Sequence, residues 1–149
     1  MIRFERFADR PVIPRTPPGT WKSVYTANAE VLRVGDRVLL YYRGQGDAQH
    51  DQIGVVSVPF SEFDGVTFQE HASNPVIRVG PDRFDKAHVL DPGAVSLDGK
   101  VYVYYTAPTG RILPGKGSMG SGWPCRRMGS RLRSRCQPPF CRVRLRRMR

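Results

Sequence analysis

The sequence predicts an all-β protein made of repeated antiparallel units of the β-propeller kind, and three observations carry that expectation. First, residues 28–42 align with residues 91–105 without a gap at an offset of 63 positions, so that Asn28 falls on Asp91, Val38 on Val101 and Tyr41-Tyr42 on Tyr104-Tyr105. Second, the repeat extends upstream: Pro11-Val12-Ile13 matches Pro75-Val76-Ile77 at an offset of 64, and Trp21 falls on Phe84. Third, no stretch shows the period of a long helix. A strand unit recurring at this spacing buries its faces against its neighbours, as propeller blades do.

The elements follow in order. Arg10–Ile13 reads as a short edge strand, and Pro14–Thr20 as irregular chain, because Pro14, Pro17 and Pro18 supply no backbone donor. Trp21–Ala27 reads as extended. Glu30–Val34 and Arg37–Arg43 form a hairpin closed by Gly35-Asp36. Gly44–Asp51 is a polar loop. Gln52–Val58, rich in β-branched residues, is a third strand, and Val66–Glu70 is a fourth, after a turn at Asp64-Gly65. These four strands make one blade. Ser73–Val79 repeats the Pro-Val-Ile segment, and Gly80–Lys86 is a loop. His88–Leu97 and Lys100–Thr106 form the second hairpin around Asp98-Gly99, a strong two-residue turn signal.

Beyond the second hairpin the composition changes. Residues 1–108 carry 12 Lys/Arg and 13 Asp/Glu; residues 109–149 carry 12 Lys/Arg and no acid, so the net charge of +11 resides in the tail. All three cysteines, Cys125, Cys136 and Cys141, lie there, at spacings that define neither a disulfide framework nor a metal site. The chain therefore divides into a blade-forming part, 1–108, and an Arg-rich part, 109–149, expected to be disordered. A natural basic tail and out-of-frame translation of a GC-rich gene both fit that composition. Nucleic-acid binding is not expected, because the basic stretch has no interleaved aromatics and no accompanying binding module. No apolar run reaches the length of a membrane span, and Met1–Arg10 lacks the apolar core of a secretory signal, so a cytoplasmic location is expected.

The ordered motifs of residues 7–108 resemble the five-bladed β-propeller glycosidases and glycoside phosphorylases, the group of glycoside hydrolase families 32, 43, 62, 68 and 130. The resemblance rests on Asp91-Pro92 before a strand and on the endings Leu40-Tyr41-Tyr42-Arg43-Gly44 and Val103-Tyr104-Tyr105-Thr106-Ala107. It also rests on Asp51-Gln52-Ile53-Gly54-Val55 followed by Phe63-Asp64-Gly65-Val66-Thr67-Phe68. It implies a fragment of about one and a half blades that acts on oligosaccharides, with inorganic phosphate as a second substrate in the phosphorylase type. It implies no cofactor and no metal. Arabinan- and fructan-type members carry an Asp base or nucleophile at the Asn28 position, and Asn28 cannot serve as one. The mannoside-phosphorylase type (family 130) has Asn-Pro in the first blade and an Asp-Pro in the second whose Asp is the general acid. This sequence departs from that pattern at Ala29 and at Gly93, where that type carries Pro and Arg.

The resemblance makes Asp91 the candidate catalytic residue, with Asn28, Arg43, His88 and Trp21 as candidate substrate-binding residues. Glycoside cleavage needs a protonated carboxyl at the leaving oxygen, and a carboxyl ringed by apolar residues such as Leu90 and Pro92 holds its proton to higher pH. The same Asp also fits a turn residue that accepts backbone N–H bonds. Arg43 suits a sugar hydroxyl or a phosphate, though a strand-end Arg is more often a solvated surface charge. Trp21 suits a sugar floor or a core indole. His88 suits a sugar contact or a plain loop position. Glu30 alternates with Asn28, which would put the two on one face, and is expected to be solvated or paired; Asp85-Lys86 is expected to be an exposed charge pair. Because a propeller pocket draws on every blade, this chain is expected to be inactive as a fragment. The alternatives are a noncatalytic carbohydrate-binding fragment, or polyanion binding through the tail.

Overall fold

The computed structural model describes residues 3–80, 85–108 and 143–144. They form two antiparallel sheets and no α-helix. The first sheet has the order β1-β2-β3-β4, from Tyr25–Val34, Arg37–Gln45, Asp51–Pro59 and Gln69–Glu70. The second has the order β5-β6-β7, from Leu90–Leu97, Lys100–Thr106 and Val143–Arg144. Among the described residues no helix is long and apolar enough to cross a membrane.

Both expected hairpins are present. Val34 pairs with Arg37 across Gly35-Asp36, and Leu97 with Lys100 across Asp98-Gly99. Asp98 and Gly99 both have positive φ (51° and 67°), the conformation of a type I′ turn. At the first hairpin the left-handed residue is Gly35 alone, at φ 60°. The two turns thus occupy equivalent places in the repeat with different local chemistry.

Side chains of β2 and β3 sort onto two faces. Tyr41, Ile53 and Val55 face the second sheet and form one cluster with Ile77, Val89, Val103, Tyr105 and Ala107. Leu40, Tyr42 and Val56 face the other way and pack with Ile13, Trp21 and Phe68. The β-branched run of β3 follows from this burial on both faces. A fully buried side chain of this kind contributes about 1.5–3 kcal/mol, and Ile53, Val89 and Val103, all at 0% exposure, sit in the cluster between the two sheets.

Several local expectations need correction. Arg10–Ile13 is not a strand; it is held as irregular chain, with the Ile13 carbonyl accepting a bond from Thr26 Oγ1 at 2.7 Å. Trp21–Val24 is turn and bend, and β1 begins only at Tyr25. Gly44 belongs to β2, which runs on to Gln45. Val66–Thr67 is not strand, because Asp64 accepts both backbone N–H groups in a tight turn, leaving a two-residue β4. The second Pro-Val-Ile segment reaches the first sheet through a single bridge, Ile53 to Ile77. Phe84 lies outside the described residues, as does the 109–149 segment apart from Val143–Arg144, which pairs with Val103 and Tyr102 of β6.

Candidate functional site

The two copies of the repeat share an irregularity that periodicity could not show. In β1 the register shifts between Ala27 and Glu30, so Asn28 and Ala29 stand opposite Tyr42 alone. In β5 it shifts between Leu90 and Gly93, so Asp91 and Pro92 stand opposite Tyr105 alone. Each is a β-bulge whose first residue is left-handed, Asn28 at φ 51° and Asp91 at φ 48°. Asn and Asp are the non-glycine residues that best tolerate this conformation. Pro92 fits at a bulge because no ladder donor is required of it. Glu30, just past the bulge, pairs with Tyr41 and is half-buried.

A bulge re-aims its first side chain, and these two are aimed at each other. Asn28 Nδ2 donates to Asp91 Oδ1. The same oxygen accepts from Arg43 Nη1 at 3.1 Å. Asp91 is the outward member of its trio: Leu90 and Pro92 are buried, while the Asp91 side chain is 47% exposed. Its surroundings are therefore polar and open, not the apolar ring that its sequence neighbours implied.

Behind this triad lies a buried carboxyl that sequence reasoning missed as a site residue. Asp51, the first residue of β3, is 1% exposed. Its Oδ1 accepts from the Tyr25 hydroxyl and lies 3.5 Å from Arg43 Nε. Its Oδ2 accepts from Gln45 Nε2 at 3.2 Å and from His88 Nδ1 at 2.8 Å. The signal in the sequence was a carboxylate opening a strand that is otherwise apolar and β-branched. Tyr25 is pushed up to about 12, first by burial and then by its bond to Asp51, so it remains a donor at neutral pH.

The candidate residues thus divide. Asn28, Arg43 and Asp91 meet at the surface. His88 is buried behind them, 5% exposed and turned to Asp51. Trp21 lies on the opposite face of the first sheet, its ring centroid 5.6 Å from that of Tyr42. Gly44 and Gly54 make room for the indole: a Cβ on either would stand 2.6 Å from a Trp21 ring atom. The expected exposed pair Asp85-Lys86 is also corrected, since Asp85 is 6% exposed and accepts the Tyr105 hydroxyl at 3.0 Å. Among the described residues no group of three or more His, Cys, Asp or Glu is placed to hold a metal ion.

The triad offers a carboxyl, a planar cationic fork and a carboxamide at one open edge between two sheets. Such a set can bind hydroxyls or an oxyanion, and can exchange a proton with a bound group.

No protein-family model matches the chain. A β-1,2-mannobiose phosphorylase of Thermoanaerobacter sp. (strain X514) is 26% identical over 121 residues, covering 74% of this chain and 39% of that protein. A solved BT0996–RGII complex superposes with a TM-score of 0.51 at 19% identity, over 69% of this chain and 28% of the matched one. The chain therefore spans about two fifths of the curated relative and under a third of the solved protein, and the structural likeness concerns the fold alone.

Proposed function

We propose that these two sheets are blades of a five-bladed propeller that cleaves glycosidic bonds of oligosaccharides, in the manner of the mannoside phosphorylases. The observation that carries the reading is the meeting of Asn28, Asp91 and Arg43 on matched bulges of successive repeats. The similarity to a β-1,2-mannobiose phosphorylase supports it. So does Asn28, which occupies the place of the base in arabinan- and fructan-type propellers and has no basic group to offer.

In this reading Asp91 protonates the leaving oxygen, and Asn28 orients its carboxyl. Arg43 holds phosphate or a sugar hydroxyl by its fork. An incoming phosphate competes with Asp91 for Arg43. On loading, the carboxyl gives up that contact and is left facing the leaving oxygen. Two blades provide part of a pocket wall, and positioning supplies a large share of the rate, so on its own the chain should turn over little substrate.

The test begins with the coding DNA beyond codon 108 read in all three frames. A frame that continues into further strand repeats defines a restored chain. That chain should release sugar phosphate from manno-oligosaccharides with phosphate, and Asp91→Asn in it should lower turnover by orders of magnitude while leaving the fold intact. Full activity of the restored Asp91→Asn protein would remove Asp91 from the mechanism. Turnover of aryl glycosides without phosphate would assign hydrolysis instead.

A further inference from the structure

Asp51 has no part in the mechanism above, yet it is a buried carboxyl bonded from three different strands or strand entrances. Its side chain receives Tyr25 from β1, Gln45 from β2 and His88 from the entrance of β5, and lies against Arg43. Its backbone carbonyl accepts Val89 N–H at 2.9 Å. One buried residue thus ties the first sheet to the beginning of the second, two positions before Asp91. Arg43 is shared between two carboxyls, with Nη1 on Asp91 at 3.1 Å and Nε facing Asp51 at 3.5 Å. Arg43 Nε is buried and has no hydrogen-bond partner among the described residues, so the Asp51 charge is what faces it.

We propose that Asp51 is the positioning residue of the Asn28–Arg43–Asp91 site. It holds the guanidinium from beneath, and through His88 and Val89 it sets where β5 begins, which places Asp91 within reach of both Asn28 and Arg43. Arginine is rich in rotamers, and a buried counter-charge at Nε selects the one that reaches Asp91. The assignment rests on the reading of Asp91 as the sugar-facing carboxyl. A residue that merely joined the sheets would change stability when replaced and leave the geometry of the folded site alone; a positioning residue changes that geometry in folded protein.

The experiment uses side-chain nuclear magnetic resonance of the full 149-residue chain, labelled with 15N. The Arg43 Nε–Hε signal is assigned with Arg43→Lys, and the Asn28 Nδ2 pair with Asn28→Ser. In the unaltered chain, Arg43 Nε–Hε should exchange with water at least about tenfold more slowly than that of exposed Arg10. In Asp51→Asn the exchange should rise to the Arg10 rate. The Asn28 Nδ2 pair, which does not touch Asp51, should shift while the amide signals of β2 and β3 persist. An unmoved Asn28 pair in folded Asp51→Asn would overturn the proposal, as would fast Arg43 exchange in the unaltered chain. If Asp51→Asn does not fold, Tyr25→Phe decides: it removes one donor from Asp51 Oδ1 and should shift the Asn28 Nδ2 pair, and an unmoved pair in the folded variant would overturn the proposal. None of these readouts involves a sugar. If the carbohydrate reading fails while these signals behave as stated, the restored chain is inactive on glycosides and the positioning by Asp51 stands as geometry.

Discussion

Asn28 donates a hydrogen bond to Asp91, and these two residues, 63 positions apart, occupy the same place in successive copies of one repeat. Each sits first in a β-bulge and each is left-handed. This contact places the candidate site where β1 and β5, the first strands of the two sheets, draw together.

That conformation makes Asn28 sensitive to substitution. Asn28→Ala should lower the stability of the folded protein by about 1 kcal/mol, since alanine tolerates the left-handed region poorly and cannot donate to Asp91. Asn28→Gly keeps the backbone at ease and removes only the bond, so it should cost less. Urea midpoints of the two variants check the order, and equal losses would show that backbone conformation is not the source.

Gly54→Ala should destabilise by about 1–3 kcal/mol, because the added methyl meets packed rings. A Cβ there would stand 2.6 Å from Trp21 Cη2 and 2.8 Å from Tyr42 Cζ. Combining the change with Trp21→Leu should recover part of the loss, as the indole is the atom group in the way. Denaturation of the single and double variants measures it.

Three tyrosines should ionise late. Tyr25 and Tyr41 are pushed up to about 12, in both cases chiefly by burial. Tyr42 is pushed up further, by burial first and then by the Glu70 carboxylate. Their protonated forms are favoured by folding. The stability that Tyr25 and Tyr41 contribute is therefore fully present below pH 10, the ordinary tyrosine value, and is lost as pH rises through about 12, and that of Tyr42 is lost at still higher pH. Phenolate absorbance should show late-ionising tyrosines that become ordinary in urea; a single transition near pH 10 in the folded chain would contradict this.

Asp64 behaves in the opposite sense at acid pH. Its carboxyl is held down to about 2 by bonds from Thr67 and Val66. The stability it lends to the turn before β4 is present above its ordinary value of 3.8 and lost as pH falls through about 2. The difference in thermal midpoint between the unaltered chain and Asp64→Ala should be present at pH 5 and vanish near pH 2. A difference unchanged across that range would assign the effect to packing.

Much of this architecture was legible in the residues. The gapless repeat, the two-residue turns and the β-branched run of β3 are local patterns, and local patterns report backbone hydrogen bonding and the alternation of faces. They determined an all-β chain with two matched hairpins, and they singled out Asn28 and Asp91 as equivalent strand-entrance residues.

The tertiary structure decided what those patterns do not encode. Bulges at Asn28 and Asp91 shifted the register by one residue and turned these two side chains toward each other. Packing of the second sheet on the first buried His88 and Asp85, residues that read as loop and surface. It also drew Tyr25, Arg43, Gln45 and His88 around Asp51. Trp21 went to the far face because Gly44 and Gly54, neighbours across a strand pair and not along the chain, leave it room there. In each case the deciding partner lies on another strand or another sheet, and the free energy of burying and pairing these groups comes from contacts that local spacing cannot express.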